Sequence, residues 1–247
     1  MTARTPRGAP PPPTEGETRT QQAAWGEVVH GEPRWPATLA VLIILALYWA
    51  LPDRYTPGPA SLTWVVPLIE LALVVPLSLA APRRRPDEPR WQRWAAIALI
   101  GVVNLANVAS LVLLVQALVH GGGKVHGRSL GGPELLLAAV DIWATNVLVF
   151  ALWYWELDRG GPDDRGRPKH RQPDFLFPQM STPDCTYPHW VPTFADYLYV
   201  SFTNATAFSP TDTMPLTPWA KMLMMVQSMA SLLTIALVAA RAVNILS

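Results

Sequence analysis

Apolar residues fall in five long runs: Pro36–Leu51, Leu62–Ala81, Trp94–Val119, Glu134–Trp155 and Trp219–Val243. Only Glu70, Glu134, Asp141, Lys221 and Arg241 place a charge inside them. Four of the runs reach the roughly 20 residues that a helix needs to cross a hydrocarbon layer about 30 Å thick. The first is shorter, but Trp35, Tyr48 and Trp49 bracket it, and such rings settle at the membrane–water interface. A helix of a soluble bundle would show a polar face every 3.6 residues. Leu39–Leu47 and Leu111–Leu118 show almost none. The pattern predicts an all-α membrane protein with five transmembrane helices and a short re-entrant or interfacial helix before the last span.

Between and around the runs the material changes. Residues 1–35 are polar and Pro-rich, with four consecutive prolines at Pro10–Pro13, which predicts a disordered tail rather than a cleavable signal. Residues 36–155 form the expected four-helix transmembrane bundle. Residues 156–192 are rich in Gly, Pro, Asp and Arg without helical period and read as a solvated loop. Residues 193–247 read as a pore-loop-like half-helix, a turn and a final transmembrane helix.

Composition narrows the classes. Half of the 247 residues are hydrophobic, 15% are charged, and the net charge is +1. That balance lacks the basic excess of a nucleic-acid binder. One cysteine excludes an intrachain disulfide framework and a Cys-rich zinc site. His170, Cys185 and His189 are too scattered for a metal site. With no nucleophile elbow, phosphate loop or paired-His motif in the chain, neither enzyme activity nor a cofactor is expected. The expected partners are the lipid bilayer and further copies of the chain in a homo-oligomer.

Charge sets an orientation. Counting Lys and Arg in alternate segments puts fifteen on one side (Arg4 to Arg34, Arg83 to Arg93, Arg159 to Arg171, Lys221) and four on the other (Arg54, Lys124, Arg128, Arg241). Short basic loops stay cytoplasmic. The expectation is a multi-pass protein of the cell membrane with a cytoplasmic N-terminus.

Two groups of polar residues stand out. Glu70, Asn104, Asn107 and Asp141 lie inside the apolar runs, where a carboxylate costs several kcal/mol unless paired, protonated or hydrated. They read either as a shared proton or cation site or as interhelical hydrogen bonds. The second group follows the Thr193–Asp196 helix start, a capping pattern. It comprises Asn204, Thr206, Ser209, Thr211 and Asp212, around the turn of the half-helix. Thr217-Pro218 opens the last span, with Thr as cap and Pro at the first helical position. Ser228, Ser231 and Thr234 share one side of that helix, so the half-helix is expected to pack there.

The stretch from Thr206 to Thr217, with Trp219–Lys221 and Leu233–Leu237, resembles the filter-to-inner-helix segment of tetrameric potassium channels. The filter positions read Ala207-Phe208-Ser209-Pro210-Thr211, and no glycine follows Gly166. A glycine-dependent carbonyl ladder is absent, so potassium selectivity is not expected. A broader likeness rests on Gly160-Gly161, Asp174-Phe175, Phe177-Pro178, Asp196–Tyr199, Ser201–Thr203, Phe208, Thr211-Asp212 and Ala242–Asn244. On these residues the chain resembles the bacterial membrane family catalogued as domain of unknown function 1345, which implies a topology and no activity. A potassium-channel pore loop enters from outside, whereas the charge count puts residues 156–218 inside. Two functions lead: non-potassium-selective ion conduction or transport through the hairpin, or a non-conducting scaffold or partner-binding module; a membrane enzyme using Glu70 and Asp141 for acid–base chemistry is a third, with no substrate motif to support it.

Overall fold

The computed structural model describes residues 35–50, 90–119, 124–125, 128–129, 132–165, 172–182, 190–206 and 212–246. The expected tail up to residue 34, the run Leu62–Ala81 with Glu70, and Ser209 and Thr211 lie outside them.

The described chain is mostly helical. In order come α1 (Trp35–Ala50), α2 (Arg90–Val119), the short antiparallel pair β1 (Lys124–Val125) and β2 (Arg128–Ser129), and α3 (Gly132–Leu157). A 3-10 turn (Asp158–Gly160) and α4 (Pro162–Arg165) follow, then β3 (Phe175–Leu176), α5 (Pro178–Ser181), α6 (Phe194–Thr206), β4 (Met214–Pro215) and α7 (Pro218–Leu246). β3 pairs antiparallel with β4, Phe175 opposite Pro215, and so ties the loop after α3 to the start of α7. The helix starts follow the sequence. Thr193 donates its N–H and hydroxyl to Asp196 Oδ2 at 2.7 and 2.8 Å, and Thr217 Oγ1 accepts from the Ala220 N–H at 3.3 Å.

α3 is the central helix, packed by α1, α2, α6 and α7. One core joins Ile44 of α1, Leu99 and Val103 of α2, Phe150, Tyr154 and Trp155 of α3, Phe175, Phe177, and Tyr197 and Val200 of α6. A second, nearer the β1–β2 turn, sets Leu111 and Leu114 of α2 against Ala138, Ala139 and Ile142 of α3, with Ala230 of α7 alongside. The alanines let backbones approach closely.

Three helices carry spans long and apolar enough to cross a membrane: Arg93–Gln116, Leu136–Gly160 and Pro218–Ala240. Among the described residues α1 falls short, its apolar part running only Trp35–Leu47, about 20 Å of helix. The α3 span is 56% buried inside the protein and the α7 span only 17%. Met225, Met229, Leu232 and Leu233 of α7 are exposed. A contiguous apolar face of that size asks for an apolar solvent or a partner.

The segment expected to be a solvated loop differs over its described residues. Asp158, Arg159, Arg165, Phe175, Phe177 and Met180 are all buried. Composition reads as solvated because Asp, Arg and Gly normally sit in water. Here the charges are paired and the apolar residues close the end of the bundle.

Candidate functional site

Two polar clusters lie in the core. The first is a seam between α3, α6 and α7, built around Gln227. This side chain is fully buried, and an unpaired amide there would carry a large desolvation cost. Its Oε1 accepts from Tyr154 Oη at 2.5 Å and from Asn204 Nδ2 at 2.7 Å. Its Nε2 donates to the Ser201 carbonyl at 2.9 Å and to Ser201 Oγ at 2.7 Å. A carboxamide offers two donors and two lone pairs, so Gln227 has no capacity left. Ser201 Oγ donates to the Val147 carbonyl at 2.6 Å, joining α6 to α3. Asn146 Nδ2 donates to Ser231 Oγ at 2.9 Å, joining α3 to α7.

The pore-loop candidates fall within or beside this seam. Asn204 Nδ2 also donates to the Met224 carbonyl at 3.0 Å, and its Oδ1 accepts from Ser228 Oγ at 3.0 Å. Thr206 Oγ1 turns back to the Thr203 carbonyl of its own helix. Asp212 is exposed. The packing expected against the half-helix is present at Ser228, which bonds Asn204, whereas Ser231 is met by Asn146 of α3 and Thr234 bonds its own helix at the Ala230 carbonyl. Asn204 therefore spends its amide N–H groups on Gln227 and the Met224 carbonyl and one lone pair of Oδ1 on Ser228.

The intramembrane group is less assembled. Asn107 is buried, and the Asn104 Oδ1 is buried with no hydrogen-bond partner among the described residues. Asp141 is half-buried. Gln227, Asn146 and Tyr154 were not singled out by the sequence reasoning. Their signal was available: an amide inside an apolar run needs a partner on another helix.

The second cluster closes the C-terminal end of α3. Asp158 Oδ1 accepts from the Asp174 N–H at 2.8 Å and the Phe175 N–H at 3.4 Å. Its Oδ2 accepts from Arg159 Nε at 3.1 Å and Tyr197 Oη at 2.6 Å. Burial holds the Tyr197 phenol well above its ordinary pKa, so it remains a donor. Asp174 answers in kind, accepting from the Arg159 N–H at 3.0 Å and from Thr217 Oγ1 at 2.7 Å. Arg165 Nη1 donates to the carbonyls of Trp155 and Asp158, satisfying the orphan acceptors of a helix end. Its guanidinium stands 5.5 Å from the centre of the Tyr197 ring.

Backbone geometry explains the glycines. Arg159, Gly160 and Gly161 all have positive φ, at 55°, 84° and 93°. A Cβ on Gly161 would sit 2.6 Å from the Glu156 carbonyl oxygen. Arg159 bears this conformation as a non-glycine residue, at a cost of about 1–3 kcal/mol. Its backbone bond to Asp174 and its Nε bond to Asp158 hold it there, while its two terminal nitrogens have no hydrogen-bond partner among the described residues. Gly160, Gly161, Asp174, Phe175, Phe177, Tyr197 and Ser201, noted separately in the sequence, thus meet in one closing structure and its adjoining seam.

Asp158 thus accepts four hydrogen bonds, two on each carboxylate oxygen. No group of three His, Cys, Asp or Glu that could hold a metal ion occurs among the described residues. Comparison of the chain with family models, with curated proteins and with solved structures finds no match.

Proposed function

We propose that the chain is a multi-pass integral protein of the cell membrane that acts as a non-conducting scaffold or partner-binding module. In this reading the pore-like hairpin is an internal brace. The observation that carries it is Gln227, whose four hydrogen-bonding positions are all taken by Tyr154, Ser201 and Asn204 of its own bundle. A filter or pore lining needs polar atoms free to replace the hydration shell of an ion. The face of α7 left open offers Met222, Met225, Val226, Met229 and Leu232 instead. A pore lined by those side chains would expel water rather than pass ions.

The lipid bilayer is the first partner in this reading. A homo-oligomer is the second, and the fifteen-to-four distribution of Lys and Arg supports a cytoplasmic N-terminus. The motifs shared with domain of unknown function 1345 support kinship with that family. The test is ion flux into liposomes holding the purified full chain, under imposed potassium, sodium and proton gradients. The reading expects the rates of protein-free vesicles. Flux that rises with the amount of protein incorporated would overturn it and restore conduction.

A further inference from the structure

The open side of α7 is not uniformly flat. A groove of about 540 Å³ runs along it beside the end of α6 and β4, with Lys221 and Pro215 among its lining. Further along the helix the lining becomes Met224, Met225, Ser228 and Met229, joined by Asn204 of α6. Lys221 is exposed and is the one charged residue among those lining the groove. Trp219, 62% exposed, stands at the same end, where such rings mark a membrane–water interface. Met225 and Met229 are exposed as well.

The order of these residues has the polarity of a lipid. Met225 lies four residues beyond Lys221 and Met229 eight, about 6 and 12 Å along the axis at 1.5 Å per residue. A headgroup layer occupies about 5–8 Å on each side of the hydrocarbon. An ammonium at phosphate depth therefore leaves the methionines level with the first methylenes of an acyl chain. Methionine is unbranched and adapts to a mobile apolar partner. A cation with no acid among the described residues lining the groove selects a negative headgroup.

We propose that this groove binds one phospholipid of net negative charge, with the phosphate on Lys221 and one acyl chain laid along Met225 and Met229. The inference rests on the chain being embedded in a membrane and is independent of whether the hairpin conducts. The test is native mass spectrometry of the delipidated full chain in detergent, with phosphatidylglycerol or phosphatidylcholine of identical chains added. Phosphatidylglycerol should give a single adduct, favoured about fivefold over phosphatidylcholine, as expected for one cation near the headgroup. Lys221→Gln should bring phosphatidylglycerol down to the phosphatidylcholine level. Met225→Trp, which fills the groove, should reduce both, and Met229→Trp serves if Met225→Trp does not melt like the parent. Equal occupancy by the two lipids, no adduct, or an adduct untouched by these substitutions overturns the proposal. So does a lipid-free dimer that Met225→Trp dissolves, which assigns the groove to a second copy. Recovery of the chain in the soluble fraction would overturn the membrane reading together with the groove's lipid. Lost lipid selectivity in a membrane-bound chain overturns the groove alone.

Discussion

Replacing Gln227 with leucine keeps roughly the volume of a fully buried side chain and deletes every hydrogen bond it makes. Four are lost: from Tyr154 and Asn204 to its oxygen, and from its nitrogen to the carbonyl and hydroxyl of Ser201. Side-chain hydrogen bonds between membrane helices average about 0.6 kcal/mol each, and in soluble proteins about 1 kcal/mol. The four together give about 2–4 kcal/mol. Tyr154 is itself fully buried, and stranding its hydroxyl proton adds about 1 kcal/mol. Gln227→Leu should therefore lower the unfolding free energy by about 3–5 kcal/mol, read from reversible unfolding in bicelles. Ser228→Ala, which removes one bond to Asn204, should cost about 1 kcal/mol or less. Tyr154→Phe combined with Gln227→Leu should cost less than the sum of the two, because each single change strands the other's partner. A Gln227→Leu protein within about 0.5 kcal/mol of the parent would refute the seam as the brace of the hairpin.

Asp158→Asn should destabilise by about 3–5 kcal/mol, measured the same way, since an amide turned to face Arg159 and Tyr197 sets donor against donor. A parental melting curve would contradict that. Gly161→Ala should cost more than about 1 kcal/mol, through its positive φ and the 2.6 Å approach to the Glu156 carbonyl; unchanged thermal stability would show that the turn adopts another backbone. In a Cys185→Ser background, a cysteine at Ser129 should react with an impermeant thiol reagent in intact cells, and one at Gly166 only after permeabilisation. The reverse pattern would place the hairpin on the outer side.

Local signals were legible, and long-range pairing was not. The apolar runs Trp94–Val119, Glu134–Trp155 and Trp219–Val243 fall inside α2, α3 and α7, because uninterrupted hydropathy is a property of the residues themselves. The start of α6 was legible for the same reason: Thr193 and Asp196 are three residues apart and cap one helix. The closing structure after α3 was hidden. Asp158 finds its donors at Asp174 and Tyr197, 16 and 39 positions away, and nothing local distinguishes a charge paired at that distance from one in water. The partners of Asn204 were hidden for the same reason. Its place at a pore-like turn suggests an ion ligand, and only the packing of α6 on α7 brings Gln227, Met224 and Ser228 to its amide.

Solvent access to the seam tests the brace most directly. Ser231 is 1% exposed and accepts from Asn146. In proteoliposomes of the Cys185→Ser protein, Ser231→Cys should stay unlabelled by an impermeant thiosulfonate reagent applied from either side, while Ser129→Cys reacts as the accessible control. Labelling of residue 231 at a rate approaching that control, from either face, would mean that water reaches the seam, and a closed hairpin could not produce it.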